Sequence, residues 1–151
     1  RSQWKLELAS RMGAHHTIHG SAQDAVPEVL RITGNLGADV VVDAAGGPTI
    51  LSAGIGMLRP GGRFAAFSVS HQPVPEFRTF PFYFKELSIV GSRALLPADM
   101  NRAIQLFSSG AVDAREFVTA RFALDRSAAA FEEYEHNPER VLRIVITSDL
   151  T

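Results

Sequence analysis

An acid followed by small residues ends an apolar run in the stretch GADVVVDAAGG, residues 37–47. The valines at positions 40–42 show no alternation with polar residues, which predicts a parallel strand covered on both faces. In open α/β sheets, ligands bind outside the carboxyl ends of the strands, and residues 43–47 would occupy that end. Two interpretations stay open on this stretch alone: the small side chains let a flat ligand come close, or they form a tight strand-to-helix turn without a ligand.

Other motifs that carry chemistry are missing from the sequence. The phosphate-cradling pattern Gly-x-Gly-x-x-Gly does not occur, and Gly54-Ile55-Gly56 lacks the third glycine and falls in a predicted helix, so we interpret it as packing. Walker-type loops, Gly-x-Ser-x-Gly elbows, His-Glu-x-x-His motifs and calcium loops are also absent. His15 and His16 have metal-ligating side chains, but their adjacent positions argue against a shared metal. His71 follows a predicted strand and is either a loop histidine or a residue that approaches a substrate.

Composition narrows the class of protein. The chain has 151 residues, 46% of them hydrophobic, which suffices for one ordinary core. Lys and Arg total 15 against 16 for Asp and Glu, so no basic field points to nucleic acid. No apolar segment approaches the roughly 18 residues of a membrane helix. The absence of cysteine excludes disulfides and thiolate metal sites within the chain and fits a reducing cytosol, so we expect a cytoplasmic protein.

Strand and helix signals alternate along the chain. Helical spacing of apolar residues predicts a first helix at 2–12, and Ser21 with Asp24 has the spacing of a capping box that begins a second helix, with Pro27 in its first turn. The other predicted elements are strands at 15–18, 38–43, 63–69 and 86–94, helices at 48–58 and 99–109, and a loop or irregular edge at 71–84. This alternation predicts parallel β-α units. A different pattern follows from residue 117, with the strand FVTARFAL, a helix at 125–136 and the strand RVLRIVIT.

The order of the elements resembles a known family. Six segments carry the likeness over almost the whole chain: KLELASRMGAHHTI, GADVVVDAAGG, LRPGGRFAAFSV, YFKELSIVGSRA, AIQLFSSGAV and PERVLRIVIT. Together they resemble the cofactor-binding half of the medium-chain dehydrogenase/reductase family, especially the zinc-dependent alcohol and polyol dehydrogenases. The resemblance implies an α/β fold, an incomplete Rossmann-type doubly wound parallel sheet. Residues 1–115 would form a partial NAD(P)-binding domain, and residues 116–151 a C-terminal segment that returns to a catalytic domain.

The family pattern implies further parts outside this sequence. In that family a glycine-rich first strand-turn-helix, and a second strand that ends in an acid, come just before the stretch that begins here. The catalytic domain with its zinc ligands precedes them, so zinc is expected in that missing part and the chain is expected to be a C-terminal fragment without turnover of its own.

The resemblance also implies cofactor-binding residues. Lys5 matches a basic residue near the adenosine ribose, although a solvated helix lysine is the plain alternative, and Arg1 would meet a 2'-phosphate if the preceding residue is not acidic. The strand end along the cofactor is formed by Ala44, Ala45 and Gly46. Backbone groups that address the nicotinamide belong to Phe67, Ser68, Val69, Ser92 and Arg93, for which simple sheet packing is the alternative. Arg143, or alternatively Arg140, matches a late arginine that contacts the pyrophosphate.

The expected activity is hydride transfer between a small-molecule alcohol or polyol and NAD or NADP. The aromatic run Phe77, Phe80, Phe82, Tyr83 and Phe84 lies where the family places an edge strand that pairs across a dimer, so we expect a dimer or tetramer of the intact protein. Three alternatives stay open. The segment LRPGGRF also suits an S-adenosylmethionine-dependent methyltransferase, and the family itself contains zinc-free quinone reductases and allows non-catalytic members.

Overall fold

The computed structural model describes residues 2–75 and 77–148. Contacts divide the chain into two compact units, one up to Ala94 and one from Leu95 onwards. Its helices and strands, in chain order, are α1 (Gln3–Arg11), α2 (Ala22–Ile32), β1 (Ala38–Asp43), α3 (Ile50–Met57), β2 (Leu58–Ala66), α4 (Phe80–Lys85), β3 (Ser88–Gly91), α5 (Pro97–Ser108), β4 (Val118–Ala123), α6 (Ser127–His136) and β5 (Arg143–Thr147).

The first unit contains a parallel sheet with the strand order β1-β2-β3. Val41 pairs with Phe64, and Phe64 with Ile89, so the three strands run in register through the middle of the sheet. Phe64 and Leu58 are the largest fully buried side chains of the described residues. The predicted α/β class and the parallel β-α units are therefore confirmed.

Helix α3 covers one face of this sheet through a close approach at Gly54. A Cβ at Gly54 would stand 3.3 Å from Val41 Cγ1 and closer still to the Phe64 ring. The packing interpretation of Gly54-Ile55-Gly56 is confirmed, since both glycines lie inside α3 and Gly56 faces Val26 of α2. The glycines allow the short, apolar α3 to lie near both the sheet and the neighbouring helix.

The face of β1 that points away from α3 is exposed, whereas the sequence predicted that both faces would be covered. Val40 and Val42 are 53% and 60% exposed, so the expected cover on both faces was wrong for this structure. Successive side chains of a strand point to opposite faces, and α3 packs on the face that carries Val41. An apolar run without alternation indicates where water is excluded in a complete sheet, but it does not specify which elements are present to exclude it.

Three further local predictions were wrong. Residues 15–18 form no strand, because no strand among the described residues pairs with them. Pro27 lies inside α2 rather than in its first turn, because the capping box at Ser21 fixes the helix start at Ala22. The segment 71–84, expected as a loop or irregular edge, ends in the short helix α4, which begins at Phe80 and has Pro81 in its first turn, where no N–H is needed.

Strand boundaries also shifted. Strand β2 begins at Leu58, earlier than expected, because residues 58–62 continue alongside β1 through a register irregularity at Ala38/Val40. Strand β3 is shorter than the predicted 86–94, and Glu86 adopts a left-handed conformation that ends α4 directly before it.

The second unit is built around the parallel pair β4 and β5, joined by α6. Ala130 of α6 and Val141 before β5 are buried. The elements predicted from residue 117 onwards are confirmed. Helix α5 belongs to this unit, whereas we predicted a domain boundary near residue 115; that domain assignment concerns a larger protein and stays a prediction. Among the described residues, none of the helices has the length and apolarity needed to cross a membrane.

Candidate functional site

The carboxyl ends of the three strands of the first sheet lie side by side. Asp43 pairs with Ala66, and Ala66 with Gly91, at the last positions of β1, β2 and β3. Beyond the strands, the ladder is continued by the N–H of Ser92, which donates to the Ala66 carbonyl at 3.0 Å. The structure therefore brings together the strand ends on which the sequence placed the site.

Asp43 is the most connected residue of this edge. Its carboxylate accepts the hydroxyl of Ser68 at 2.6 Å and the N–H groups of Gly46 and Ala45 at 2.8 and 3.0 Å. Partial burial raises the pKa of the Asp43 carboxyl, but the hydrogen bonds from Ser68, Gly46 and Ala45 together outweigh it and hold the pKa below the ordinary value. Asp43 is thus an anion at neutral pH whose oxygens are occupied by internal donors.

The turn after β1 depends on glycine. Gly46 has a φ of +71°, a left-handed conformation that side chains disfavour, and Gly47 follows with a φ of +118°. A Cβ at Gly46 would stand 3.3 Å from the Ser68 hydroxyl oxygen. A side chain at Gly46 would therefore both strain the turn and crowd the Ser68 hydroxyl.

An open depression lies between this turn and the segment after β2. Its volume is about 460 Å³ and its lining residues are Ala45, Gly46, Gly47, Val69, Ser70, His71 and Gln72. Small residues form one wall, while the other carries a hydroxyl, an imidazole and an amide that can donate or accept hydrogen bonds. The depression can hold a planar group with polar substituents.

Several predicted residues meet at this edge. Ala45, Gly46 and Val69 line the depression, and Ala44 lies in the same turn. Phe67 and Val69 are 60% and 83% exposed, so they are not core residues of the described structure. Ser68 is partly buried because its hydroxyl turns inward to Asp43.

Most backbone donors of the edge are already used. The N–H groups of Phe67 and Ser68 donate to the Asp43 carbonyl at 3.1 and 2.8 Å, and Ser92 N–H donates to Ala66. The backbone N–H groups of Val69 and Arg93 donate to no residue in the described part of the chain. A ligand at this edge therefore finds fewer amide donors than the predicted role of these residues assumed, and that role stays a prediction.

The predicted basic residues lie in different places. Arg93 is exposed after β3 and makes no hydrogen bond or ion pair with residues 2–75 or 77–148. Lys5 lies on α1 with its Nζ 5.5 Å from the centroid of the Trp4 ring. Arg143 begins β5 in the second unit, and Arg140 lies in the turn before it. Arg1 lies outside the described residues. The roles of all five at a cofactor stay predictions.

Sequence reasoning placed residues 43–47 at the ligand-binding strand end but assigned no cofactor role to Asp43 or Gly47, and it did not select Ser70 or Gln72. The signal for Asp43 was present, since an acid ends one apolar strand and a serine follows the end of the next. Asp43 and Ser68 are far apart in the chain, so the sequence does not show that they interact. Only the parallel register of the strands shows that the two strand ends are neighbours. Among the described residues no group of three or more His, Cys, Asp or Glu is placed to hold a metal ion, and this includes His15 and His16.

Comparisons with known proteins agree with this architecture. Sorbitol dehydrogenase of Halalkalibacterium halodurans is 31% identical over 129 residues, which cover 85% of this chain and 38% of that protein. D-xylulose reductase of Saccharomyces cerevisiae is 29% identical over 148 residues, covering 94% of this chain and 41% of that protein. A short chain alcohol dehydrogenase of E. coli CFT073, solved in complex with NADH, matches 95% of this chain and 41% of its own with a TM-score of 0.84 and 26% identity.

The parallel sheet and its structural neighbour define the α/β class with a doubly wound parallel sheet. Residues 1–109 match the sequence profile of the family described as zinc-binding dehydrogenase. The chain belongs to this family of dehydrogenases. It spans about two fifths of the length of the curated relatives that it matches.

Proposed function

We propose that this chain is the cofactor-binding part of an oxidoreductase that transfers a hydride between an alcohol or polyol and NAD or NADP. The observation that carries the proposal is the depression at the carboxyl ends of β1 and β2, with glycine and alanine on one wall and polar side chains on the other. Support also comes from relatives named for polyol oxidation and reduction, and from a structural neighbour that was solved with NADH.

The residues present fit a nicotinamide dinucleotide. Its nicotinamide and adenine rings are flat. Gly46 and Gly47 leave room for a flat group because neither carries a side chain. When bound, the cofactor supplies the hydride acceptor or donor of the reaction. The roles of this chain's own residues are to hold and orient that group: Ala44, Ala45 and Gly46 by close approach, Phe67, Ser68, Val69 and Ser92 as strand-end neighbours, and Arg93, Arg143, Lys5 and Arg1 as cations for its phosphates and ribose.

We propose that the rest of the reaction belongs to other parts of a longer polypeptide. We propose that the zinc of the family is held elsewhere, since no cluster of three or more His, Cys, Asp or Glu among the described residues is placed to hold it. On the family pattern, we also propose that this chain alone shows no turnover. We also propose that residues 1–115 complete a cofactor domain, that 116–151 return to a catalytic domain, and that the assembled protein is a cytoplasmic dimer or tetramer.

A calorimetric titration tests the proposal. The purified chain is titrated with NADH, NADPH and S-adenosylmethionine, and we expect heat of binding with one or both nicotinamide nucleotides. The variant Ala45→Leu fills the depression and should weaken this binding, whereas Ala128→Leu on the exposed side of α6 should leave it unchanged. Tighter binding of S-adenosylmethionine would support a methyltransferase instead, and equal affinities in the two leucine variants would place the nucleotide elsewhere.

A further inference from the structure

Asp43 connects the ends of β1 and β2 through both its main chain and its side chain. Its carbonyl accepts the N–H groups of Phe67 and Ser68, and its carboxylate accepts the Ser68 hydroxyl at 2.6 Å. Phe67 and Ser68 come directly after the last residue of β2. The two strand ends are therefore held at one spacing by a single residue.

The same carboxylate organises the turn that leads away from β1. One of its oxygens accepts the N–H groups of both Ala45 and Gly46. An ionised carboxylate is an acceptor only and can take several donors at once, and hydrogen bonds to a charged oxygen are stronger than bonds between neutral groups. Gly46 is thereby held in its left-handed conformation beside Ser68.

Several residues that line the depression are held by Asp43 or are direct neighbours in the chain of residues that it holds. Gly46, whose N–H is held by Asp43, forms one wall together with Gly47, and Val69 and Ser70, directly after Ser68, form the other. Asp43 itself does not line the depression. Its effect on anything that binds there has to pass through Ser68 and the turn.

We propose that Asp43 is a positioning residue for the cofactor, which acts through the Ser68 hydroxyl and the 45–46 turn to fix the distance between the two walls. The inference rests on the proposed function, since it assigns a role in binding the same nucleotide. It adds a specific cause: the binding edge is rigid because one anion holds both of its sides.

Three variants and a matched control test this role. We expect Asp43→Ala to weaken nicotinamide nucleotide binding about tenfold or more, which is the effect of losing hydrogen bonds to a charged group. Ser68→Ala removes one of the bonds and should weaken binding less. Asp43→Asn keeps an oxygen for the two N–H groups and offers its own amide N–H to the Ser68 hydroxyl, so it should recover most of the affinity. Asp39→Asn, on the same strand, removes only an exposed ion pair with Arg59 and should leave affinity unchanged.

Amide hydrogen exchange provides a readout without nucleotide. In Asp43→Ala the amides of Ala45 and Gly46 lose their carboxylate acceptor and should exchange faster. The amides of Phe67 and Ser68 donate to the main-chain carbonyl, which alanine keeps, and should stay protected like those in the middle of β1 and in α3. Asp39→Asn should leave the exchange at residues 45–46 and 67–68 as in the unchanged chain. If Asp43→Ala does not fold, the comparison of Ser68→Ala and Asp43→Asn decides by the same two measurements.

The outcomes separate this inference from the proposed function. If the unchanged chain binds the nucleotide and Asp43→Ala binds it equally well, or if exchange at residues 45–46 does not respond, the positioning role is wrong while the proposed function stands. If the unchanged chain binds neither NADH nor NADPH, the proposed function fails and this inference fails with it.

Discussion

The aromatic ring of Phe64 lies so close to Gly54 that a Cβ at Gly54 would overlap the ring carbon Cε2. Phe64 is 2% exposed on β2, the central strand of the sheet, and Gly54 lies in the middle of α3. The ring cannot move aside easily because it is among the most completely buried side chains of the described residues.

We predict that Gly54→Ala destabilises the protein by about 1–3 kcal/mol, the usual effect of overpacking a core. Gly56→Ala is the matched control on the same helix. Its Cβ would stand 3.3 Å from a methyl of Val26, a much milder contact, and alanine favours the helix. Urea unfolding of both variants measures the free energy of unfolding, and equal values would contradict the close approach.

The pH dependence of stability should reflect Asp43. Its folded-state pKa is below the ordinary value of 3.8. A carboxyl with a lowered folded pKa contributes stability above the unfolded pKa, and this contribution is lost as the pH falls through the folded pKa. We therefore expect the unchanged chain to exceed Asp43→Asn in the free energy of unfolding at neutral pH, and the difference to shrink as the pH falls below about 4.

Urea unfolding between pH 7 and pH 2.5 checks this prediction. Ser68→Ala, which removes one of the three hydrogen bonds to the carboxylate, should show a change of the same sign and smaller size. Parallel curves for the unchanged chain and Asp43→Asn would show that the carboxyl titrates alike in the folded and unfolded states.

In the second unit, Arg115 should control the ionisation of Asp113. The guanidinium donates to the carboxylate, with Nε 2.9 Å from Oδ1, and the backbone N–H of Arg115 donates to the same oxygen. These bonds lower the pKa of Asp113 to about 2. We predict that Arg115→Gln raises this pKa towards 3.8 without reaching it, because the backbone bond remains.

Carbon-13 NMR titration of the Asp113 carboxyl measures the shift. Arg102→Gln, an exposed arginine on α5, is the control and should leave the Asp113 pKa unchanged. A pKa that stays near 2 in Arg115→Gln would assign the effect to another group.

The aromatic run that was expected to pair across a dimer is partly helical, which changes how association is tested. Phe80, Tyr83 and Phe84 of α4 are 67%, 84% and 72% exposed, and the Phe80 and Phe84 rings stack with centroids 5.6 Å apart. Exposed aromatic surface next to a strand as exposed as β3 favours association. We predict that the chain associates and that Tyr83→Asp with Phe84→Asp reduces the associated fraction.

Light scattering over a concentration series measures this fraction. Leu36→Asp is the control, since Leu36 is also 70% exposed but lies outside the aromatic run. A monomer at all concentrations, or equal effects of the two sets of changes, would contradict a role for α4.

Local sequence patterns correctly predicted those features that depend on residues nearby in the chain. The capping box of Ser21 and Asp24 formed as its spacing indicates, with Ser21 N–H donating to Asp24 at 2.9 Å. The apolar run 38–43 formed a strand, and Gly110, just after the end of α5, adopts the left-handed conformation that glycine favours at a helix end. In each case the deciding interaction lies within a few residues.

The predictions from sequence were wrong or incomplete where the structure of a segment depends on residues that are distant in the chain. His15 to Ile18 have strand-like composition, but a strand requires hydrogen bonds from another strand, and none of the described ones provides them. Val40 and Val42 are as apolar as Val41, yet only the position of α3 determines which of the three is partly covered. The Asp43 to Ser68 bond joins residues 25 apart, so the candidate site could be located at a strand end while its organising residue could not.

The hydrogen bonds around Asp43 also bear on the entropy of binding. A loop that is disordered before a ligand arrives loses conformational freedom when it closes, and that loss subtracts from the affinity. Here the turn after β1 and the segment after β2 are already cross-linked in the free chain. Under the proposed function, a nucleotide docks against this preorganised surface, and we expect ordering of the protein to reduce its affinity little.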